Sequence, residues 1–498
     1  MWSIPTIGGL VLVYFLSRTI YRLYFSPLSK FPGPKIAVRG GQYVWVIEEM
    51  HRKYGPIVRT MPNVLHVNDP SFIDQLYSQS PNLRRERAQT VLNLFHQHMS
   101  VLPTRDHSLH RRRRAVLSRF FSQQNVRRLV PVINDTLADL LHRMEGWAKI
   151  GEPVSVNAPY RAATKDVIQA YALGEGHKCL HMDDCNAAFF ETLSTGRFSH
   201  VGVHFHWFSV LVTKLPPAFI TAISPYLLAF IRFLEDLTVR IEEIRGAKDH
   251  PEGTTIFHEI LRSDIPESEK STPRLVDEAM VLAIAGADTT AATMVALTYH
   301  VLNDRNIFAR LREELSSAMP SADQPPDPVK LDALPFMNAL IEEALRLYPS
   351  GTHRQDRVAP DEDLVFQYPN GETLSVPAGT MIGMTAPLIN RHPAWYENPD
   401  VFYPDRYLEN PKLFKRHLTF SKGARQCLGM NLAYQELQTF TAGIFRKYEP
   451  YDGTLKQQNG PTLELYETSM RDIKLHADYV TPGLAPGSQG VRVRIRHV

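Results

Sequence analysis

Three cysteines occur in 498 residues, and one of them, Cys427, stands in the stretch FSKGARQCLGM from Phe420 to Met430. Lys422 and Arg425 place positive charge beside it, and Gly423 and Gly429 allow backbone to approach closely. A helix-like pattern begins just after it, so unpaired N–H groups and the positive end of a helix add to the same field. Such surroundings stabilise a thiolate. A catalytic nucleophile, a metal thiolate or an inert thiol all remain compatible with this setting. A nucleophile needs a base within reach, and no local pattern supplies one. Zinc asks for three or four protein ligands. His177, Cys179, His181 and Cys185 form only a loose cluster far upstream, without a usual zinc spacing. One thiolate as sole protein ligand suits haem iron, because the porphyrin supplies four nitrogens. A haem also asks for cations at its propionates and a flat apolar slot.

Other residues stand out against apolar neighbours. Gly286, Asp288, Thr289 and Thr290 interrupt the run RLVDEAMVLAIAGADTTAATMVALTYHVLND. A buried carboxylate there needs a partner, and the hydroxyls can bond back along the helix and loosen a turn. Glu343 and Arg346 share a helix face three residues apart, crowded by Ala344, Leu345 and Leu347, so they form a pair with a burial option. Arg111 to Arg114 follow one another, and on a helix only one or two of the four can point inward.

The elements that must position these residues are mostly helical. The interrupted apolar run predicts a helix of about 30 residues with Thr272 as its cap and Pro273 at its first position. FMNALIEEALRLY, residues 336–348, predicts a helix stopped by Pro349, and MNLAYQELQTFTAGIFRKY another directly after the cysteine turn. Residues 56–70 read as two strands around a turn at Pro62-Asn63, and 352–386 as strand-like with two turns. Residues 206–234 are apolar and aromatic but broken by Pro216, Pro217 and Pro225, which suits core, an entrance or a membrane-touching surface. The composition, 44% hydrophobic and 21% charged, is that of a folded chain, and a net charge of +3 makes no case for nucleic acid. Few cysteines suit a reducing compartment. An apolar run from Ile4 to Leu16 is followed by Arg18 and Arg22, which predicts a membrane anchor with the main body on the cytosolic side. The segment KFPGPK then breaks any helix.

With these motifs in order, the chain resembles the cytochrome P450 family over nearly its whole length. Phe420-x-x-Gly423-x-Arg425-x-Cys427-x-Gly429 matches the haem-thiolate signature, and Glu343-x-x-Arg346 matches the buried helix pair. Ala285-Gly286-Ala287-Asp288-Thr289-Thr290 matches the oxygen-activation motif, and Phe402-x-Pro404-x-Arg406-Tyr407 resembles the segment that completes the Glu-Arg network. The resemblance implies a mainly helical fold with a smaller β part, a long central helix and a haem-thiolate loop. It implies haem b with Cys427 as axial ligand, within a site that includes Phe420 and Gly429. Arg425, Arg357 and Arg114 would meet propionates. His110 stands where the family usually has a tryptophan, and Arg111 to Arg113 could share the work of Arg114. Asp288 would relay protons, Thr289 would hold a water or the oxygen species, and Gly286 would open the helix beside the haem. Glu343, Arg346 and Arg406 would be structural.

By the same resemblance, residues 1–24 form the anchor, 25–35 a proline-rich hinge and 36–498 the catalytic domain, at the endoplasmic reticulum membrane with the body cytosolic. Electrons would come from NADPH through a membrane-bound P450 reductase, with cytochrome b5 as a further candidate donor. The substrate would be a hydrophobic small molecule, and segments such as RDHSLHRRRR and LELYETSMRDIKL resemble fungal enzymes of secondary metabolism, terpenoid oxygenases among them. Polyketide or alkaloid substrates, desaturation or coupling are the alternatives. The alternative from another class is a membrane haem protein without turnover.

Overall fold

The computed structural model of the chain describes residues 13–14, 16–18, 20–21, 25–31, 41–88, 99–174, 178–194, 225–247, 255–368, 370–453 and 460–497. The hinge and the 206–234 stretch therefore lie partly outside the described residues. The principal helices are α1 (Tyr43–Tyr54), α2 (His107–Ser118), α3 (Val130–Ile150), α4 (Asn157–Leu173), α5 (Pro225–Gly246), α6 (Thr272–Asn303), α7 (Pro335–Leu347) and α8 (Met430–Lys447). Local chemistry fixes several of their ends. Gly55 ends α1 at φ +96° and Gly151 ends α3 at φ +76°, both left-handed conformations that favour glycine. The Asp106 carboxylate accepts the Leu109 N–H at 2.6 Å and starts α2.

Helix α6 has 32 residues and so runs about 48 Å at the usual rise. Its start differs from the expected one. Thr272 is the first helical residue and Ser271 precedes it as cap, with no side-chain capping bond. Pro273 explains this, because it removes an N–H that a capping oxygen would hold. The helix is long and apolar enough to cross a membrane, but 72% of its apolar window is buried inside the protein. It packs against α4, α5, α7 and α8, which makes it the axis of the main apolar core. That core also takes Leu137, Ile168, Phe257 and Phe440 from the surrounding helices.

The β part is small and lies to one side. Strands β1 (Ile57–Met61), β2 (Val64–Val67), β3 (Glu86–Arg87), β4 (Arg357–Val358) and β5 (Met381–Gly383) form one sheet in the order β1-β2-β5-β4-β3. β2 runs parallel to β5, and β4 is antiparallel to both of its neighbours. A second sheet joins Val154–Ser155, Arg492–Arg496, Thr462–Leu465 and Glu449–Pro450. The architecture is the mainly helical one expected, with a long central helix.

Candidate active site

The cysteine turn lies between the first sheet and the start of α8. The Cys427 N–H donates to the Phe420 carbonyl at 2.8 Å, and the Ala424 N–H to that of Ser78 at 3.2 Å. Gly423 has φ +75°, and a Cβ there would stand 2.2 Å from the Tyr77 carbonyl oxygen, so no other residue fits. Gly429 is different. Its φ is −84°, and an added Cβ would meet nothing closer than Phe121 at 4.0 Å. The close approach expected at both glycines occurs only at Gly423. The Phe420 ring packs 5.4 Å from Tyr434 and 5.9 Å from His417. Cys427 keeps an accessible side chain although burial raises its pKa, against the Gly429 N–H and the Arg114 charge, which lower it. A side chain that is both accessible and deep among protein atoms faces an internal recess.

Cations crowd the same region. Arg87 and Arg357 sit directly opposite each other on β3 and β4, and both are buried. Like charges at such a position destabilise a sheet unless an anion answers them. Burial holds the Arg87 guanidinium far below its ordinary range, with Arg357, Arg425 and Arg114 pushing the same way, and its Nε has no hydrogen-bond partner. Arg357 donates to the Gln355 and Asp356 carbonyls and to Ser421 Oγ at 3.1 Å. Arg114 is lowered by burial, which nearby Cys427 opposes. His110, the residue in the usual tryptophan's place, is brought to about 2 by burial and by Arg425, Arg114 and Arg87, so it is a neutral imidazole.

Arg425 does something the motif did not foretell. Its Nε, Nη1 and Nη2 donate to the carbonyls of Arg85, Thr104 and Arg105 at 3.0, 2.6 and 2.8 Å. It staples the cysteine turn to Arg85 and to the Thr104–Arg105 pair, and two of its five N–H groups remain for another acceptor. In the arginine run, Arg111 and Arg112 are exposed and Arg114 is half-buried. Arg113 turns to Glu269, at 2.6 and 3.0 Å, so it cannot share the work of Arg114.

Glu343 and Arg346 are fully buried and joined by two bonds of 2.8 Å. Arg406 Nε adds a third contact to Glu343 at 3.1 Å, and the Tyr403 N–H a fourth at 2.8 Å. Arg346 also donates to the carbonyls of Asn390, Pro399 and Val401. Burial lowers the Arg346 pKa, but Glu343 more than offsets it and the net shift is upward.

In α6 the residues of the motif face different neighbours. Ala285 is exposed in the middle of an otherwise buried helix, and Thr289, one turn on, is half-exposed. The Thr289 hydroxyl donates to the Ala285 carbonyl at 2.8 Å. Gly286 does not open the helix on that side. A Cβ on it would lie 3.1 Å from Ile168, so it lets α6 pack closely on α4. The reason is the helical period, which turns position 286 away from the face shared by 285 and 289. Asp288 is buried and paired with Arg161 of α4, Nε to Oδ1, at 2.6 Å. The pair forms a polar wall of a cavity of about 70 Å³ that Asn157, Tyr348, Pro349 and Asp472 also line, with room for several waters.

Among the described residues, no group of three or more His, Cys, Asp or Glu side chains could hold a metal ion. His177 lies outside the described residues. His181 pairs with Asp139 at 3.1 Å, and burial pushes the Cys179 thiol up to about 12, so it keeps its proton. The residues around Cys427 do suit a haem. They offer an accessible thiol in a deep recess, and buried guanidiniums that a dianionic propionate edge would satisfy. Arg87 and Arg161 escaped the sequence reading. Arg87 stands in RRERA, one of three arginines with nothing in the sequence to mark the one that faces Arg357 across the sheet, and Arg161 meets Asp288 only through the packing of α4 on α6.

Known proteins agree with this geometry. The family model described as Cytochrome P450 matches residues 31–463. The cytochrome P450 monooxygenase tpcC of Cochliobolus heterostrophus is 36% identical, over 97% of this chain and 95% of its own length. The cytochrome P450 monooxygenase astB of Talaromyces wortmannii is 36% identical, over 98% and 96%. The tryptophan 6-hydroxylase fscE of Fusarium equiseti is 33% identical, over 99% and 98%. With the family model and full-length relatives in accord with the cysteine turn, the buried Glu-Arg pair and the long central helix, the chain belongs to the cytochrome P450 family and is a monooxygenase.

Proposed function

We propose that Cys427 is the axial ligand of a haem b, and that the enzyme oxidises a hydrophobic secondary metabolite of terpenoid type with electrons from an NADPH–P450 reductase. Bound haem supplies oxygen binding and cleavage, and the protein sets access, protons and electronics. Within the chain, the Gly429 N–H and the Arg114 charge favour the Cys427 thiolate. Arg87, Arg114, Arg357 and the free N–H groups of Arg425 take the propionates, and His110 donates to one of them. Asp288, held by Arg161 at the wall of the cavity between them and Asp472, passes protons toward the recess. The Thr289 hydroxyl, on the exposed side of α6, holds the water that receives them.

One observation carries this reading: an accessible thiol deep in the protein beside buried guanidiniums, one of which has an orphaned nitrogen. The test is spectroscopic. The reduced protein with carbon monoxide is expected to show the Soret position of thiolate ligation, and Cys427→Ala is expected to abolish it together with turnover. A thiolate spectrum in that variant would overturn the assignment. Labelled oxygen gas entering the product then separates hydroxylation from desaturation or coupling.

A second reading of the substrate is an aromatic amino-acid derivative, because relatives named tryptophan 6-hydroxylase and N-acetyltryptophan 6-hydroxylase match over 99% of the chain. Residues 1–24 anchor the enzyme in this proposal, 25–35 form the hinge and 36–498 the catalytic domain on the cytosolic face of the endoplasmic reticulum. In support, the described residues of the anchor segment expose Val13, Leu16 and Ile20, which water disfavours and lipid accepts.

A further inference from the structure

The turn of α6 that carries Asp288 and Thr289 is gripped from outside at three consecutive residues. The Thr164 hydroxyl of α4 donates to the Ala287 carbonyl at 2.7 Å. Arg161 of the same helix holds the Asp288 carboxylate. The Ser350 hydroxyl donates to the Thr289 carbonyl at 2.8 Å. Thr164 and Ser350 are both buried. Thr164 could also give its one proton to the Tyr160 carbonyl at 3.0 Å, but Ala287 is the nearer acceptor.

Mid-helix carbonyls do not need such donors, since the N–H four residues on already serves them. A hydroxyl added to the second lone pair competes with that N–H and loosens the turn. Here the Ala287 carbonyl receives one, from Thr164, and the Thr289 carbonyl two, from Ser350 at 2.8 Å and from Thr293 of α6 itself at 3.4 Å. The Thr289 hydroxyl does the same to Ala285, one turn earlier. Ser350 is delivered by a fixed segment. It follows Pro349, which ends the run of α7, and two residues on the Thr352 N–H donates to Val480 at 3.0 Å, while the Thr352 hydroxyl donates to Asp478 at 2.7 Å. The position of the Thr289 peptide is thereby referred to the α7 connection rather than to α6 alone.

We infer that Ser350 is a positioning residue for oxygen activation: by holding the Thr289 carbonyl it sets where the Thr289 hydroxyl points within the recess. Thr164 does the same for the peptide before Asp288. This rests on the reading that Thr289 and Asp288 control proton delivery. Losing the Ser350 donor leaves the Thr289 carbonyl to donors of α6 itself, the helical N–H and the more distant Thr293 hydroxyl. Thr289 then shifts, and reduced oxygen leaves as peroxide more often.

The experiment uses the full-length haem-loaded enzyme with NADPH–P450 reductase, NADPH and oxygen gas, without organic substrate. Peroxide released per NADPH is compared for the wild type, Thr289→Ala, Ser350→Ala and Ser350→Thr. Hydrogen exchange is followed at the amides of residues 291–293. Ser350→Ala is expected to raise peroxide and to slow exchange at these amides, because the helical N–H no longer competes with a hydroxyl for the Thr289 carbonyl, each by about threefold to tenfold, the range that one lost hydrogen bond gives. Ser350→Thr, which keeps the hydroxyl, is expected to restore both. If Thr289→Ala raises peroxide and Ser350→Ala does not, the inference is wrong while the proton-delivery reading stands. If neither does, that reading fails and takes the inference with it. Should Ser350→Ala lose its haem, Ser350→Cys, similar in size and a weak donor, is read by the same two criteria.

Discussion

Arg87 shows best where residue types alone stop informing. The motif named Arg357, Arg425 and Arg114 as cations for the haem, yet Arg425 spends three of its donors on backbone carbonyls. Arg87, which no motif marks, is the one of these four cations with an orphaned nitrogen. Its partner across the sheet is set by the register of β3 on β4, and register is a tertiary fact that a two-residue strand does not display in its sequence. The glycines divide similarly. Gly423 was legible because its backbone needs a positive φ and a close carbonyl, whereas Gly429 meets neither need. The physical position of Arg87 predicts effects of opposite sign in two states. In the haem-free protein an unpaired buried cation costs stability, so Arg87→Met is expected to unfold at a higher denaturant concentration than wild type. In the loaded protein the same change removes a charge-assisted bond, and haem is expected to pass to a scavenger on the order of tenfold faster. A variant that changes neither the haem-free midpoint nor the rate of haem loss would place Arg87 outside the haem site.

At the scale of elements, most of what positions the site was readable. α6 and α7 lie within one residue or so of their expected bounds, because apolar periodicity, a first-turn proline and a following proline are local signals. What periodicity could not say was which face meets which neighbour. Gly286 was assigned to the haem side and lies against Ile168 instead, and the ion pair of Asp288 depends on a helix more than a hundred residues away. The Glu343–Arg346 pair was the stronger case, since a salt bridge crowded by alanine and leucine is either buried or misplaced. In the structure it is the knot that ties α7 to the irregular segment 397–406, through Arg406 and the carbonyls of Pro399 and Val401. Glu343→Gln leaves Arg346 and Arg406 without their anion, at a cost of about 3–5 kcal/mol for breaking a buried pair. The expected result is haem-poor, protease-sensitive protein at ordinary temperature. A Glu343→Gln enzyme with full haem occupancy and slow turnover would instead give the carboxylate a chemical role, contrary to its complete enclosure by donors.

Across the whole molecule, buried histidines outside the cysteine turn set how the fold responds to acid. His51 bonds through Nε2 to His66 at 2.7 Å, and through Nδ1 to the Gly55 carbonyl. Burial brings its pKa down to about 4, opposed by the Gly55 carbonyl and helped by His392. His300 lies flat on Phe402, 3.6 Å between ring centres. It bonds Tyr348 at 2.8 Å, and burial brings it to about 3, opposed by Asp304. Both pKa values are depressed below the ordinary imidazole value of 6.5, so below that pH the unfolded chain binds protons that the folded one refuses. The stability they contribute is complete above pH 6.5 and is lost as the pH falls, until about 4 for His51 and about 3 for His300. Each can remove up to about 1.4 kcal/mol per pH unit within its window. The folded enzyme is therefore expected to weaken between pH 6 and pH 5, before the bulk of its carboxylates titrate. Denaturant midpoints measured across that range are expected to slope downward with acid, and His300→Gln, which cannot take a proton, is expected to flatten the slope by about one proton's worth. A slope unchanged in His300→Gln would mean that His300 titrates alike in both states, and that its stack on Phe402 does not exclude the charged form.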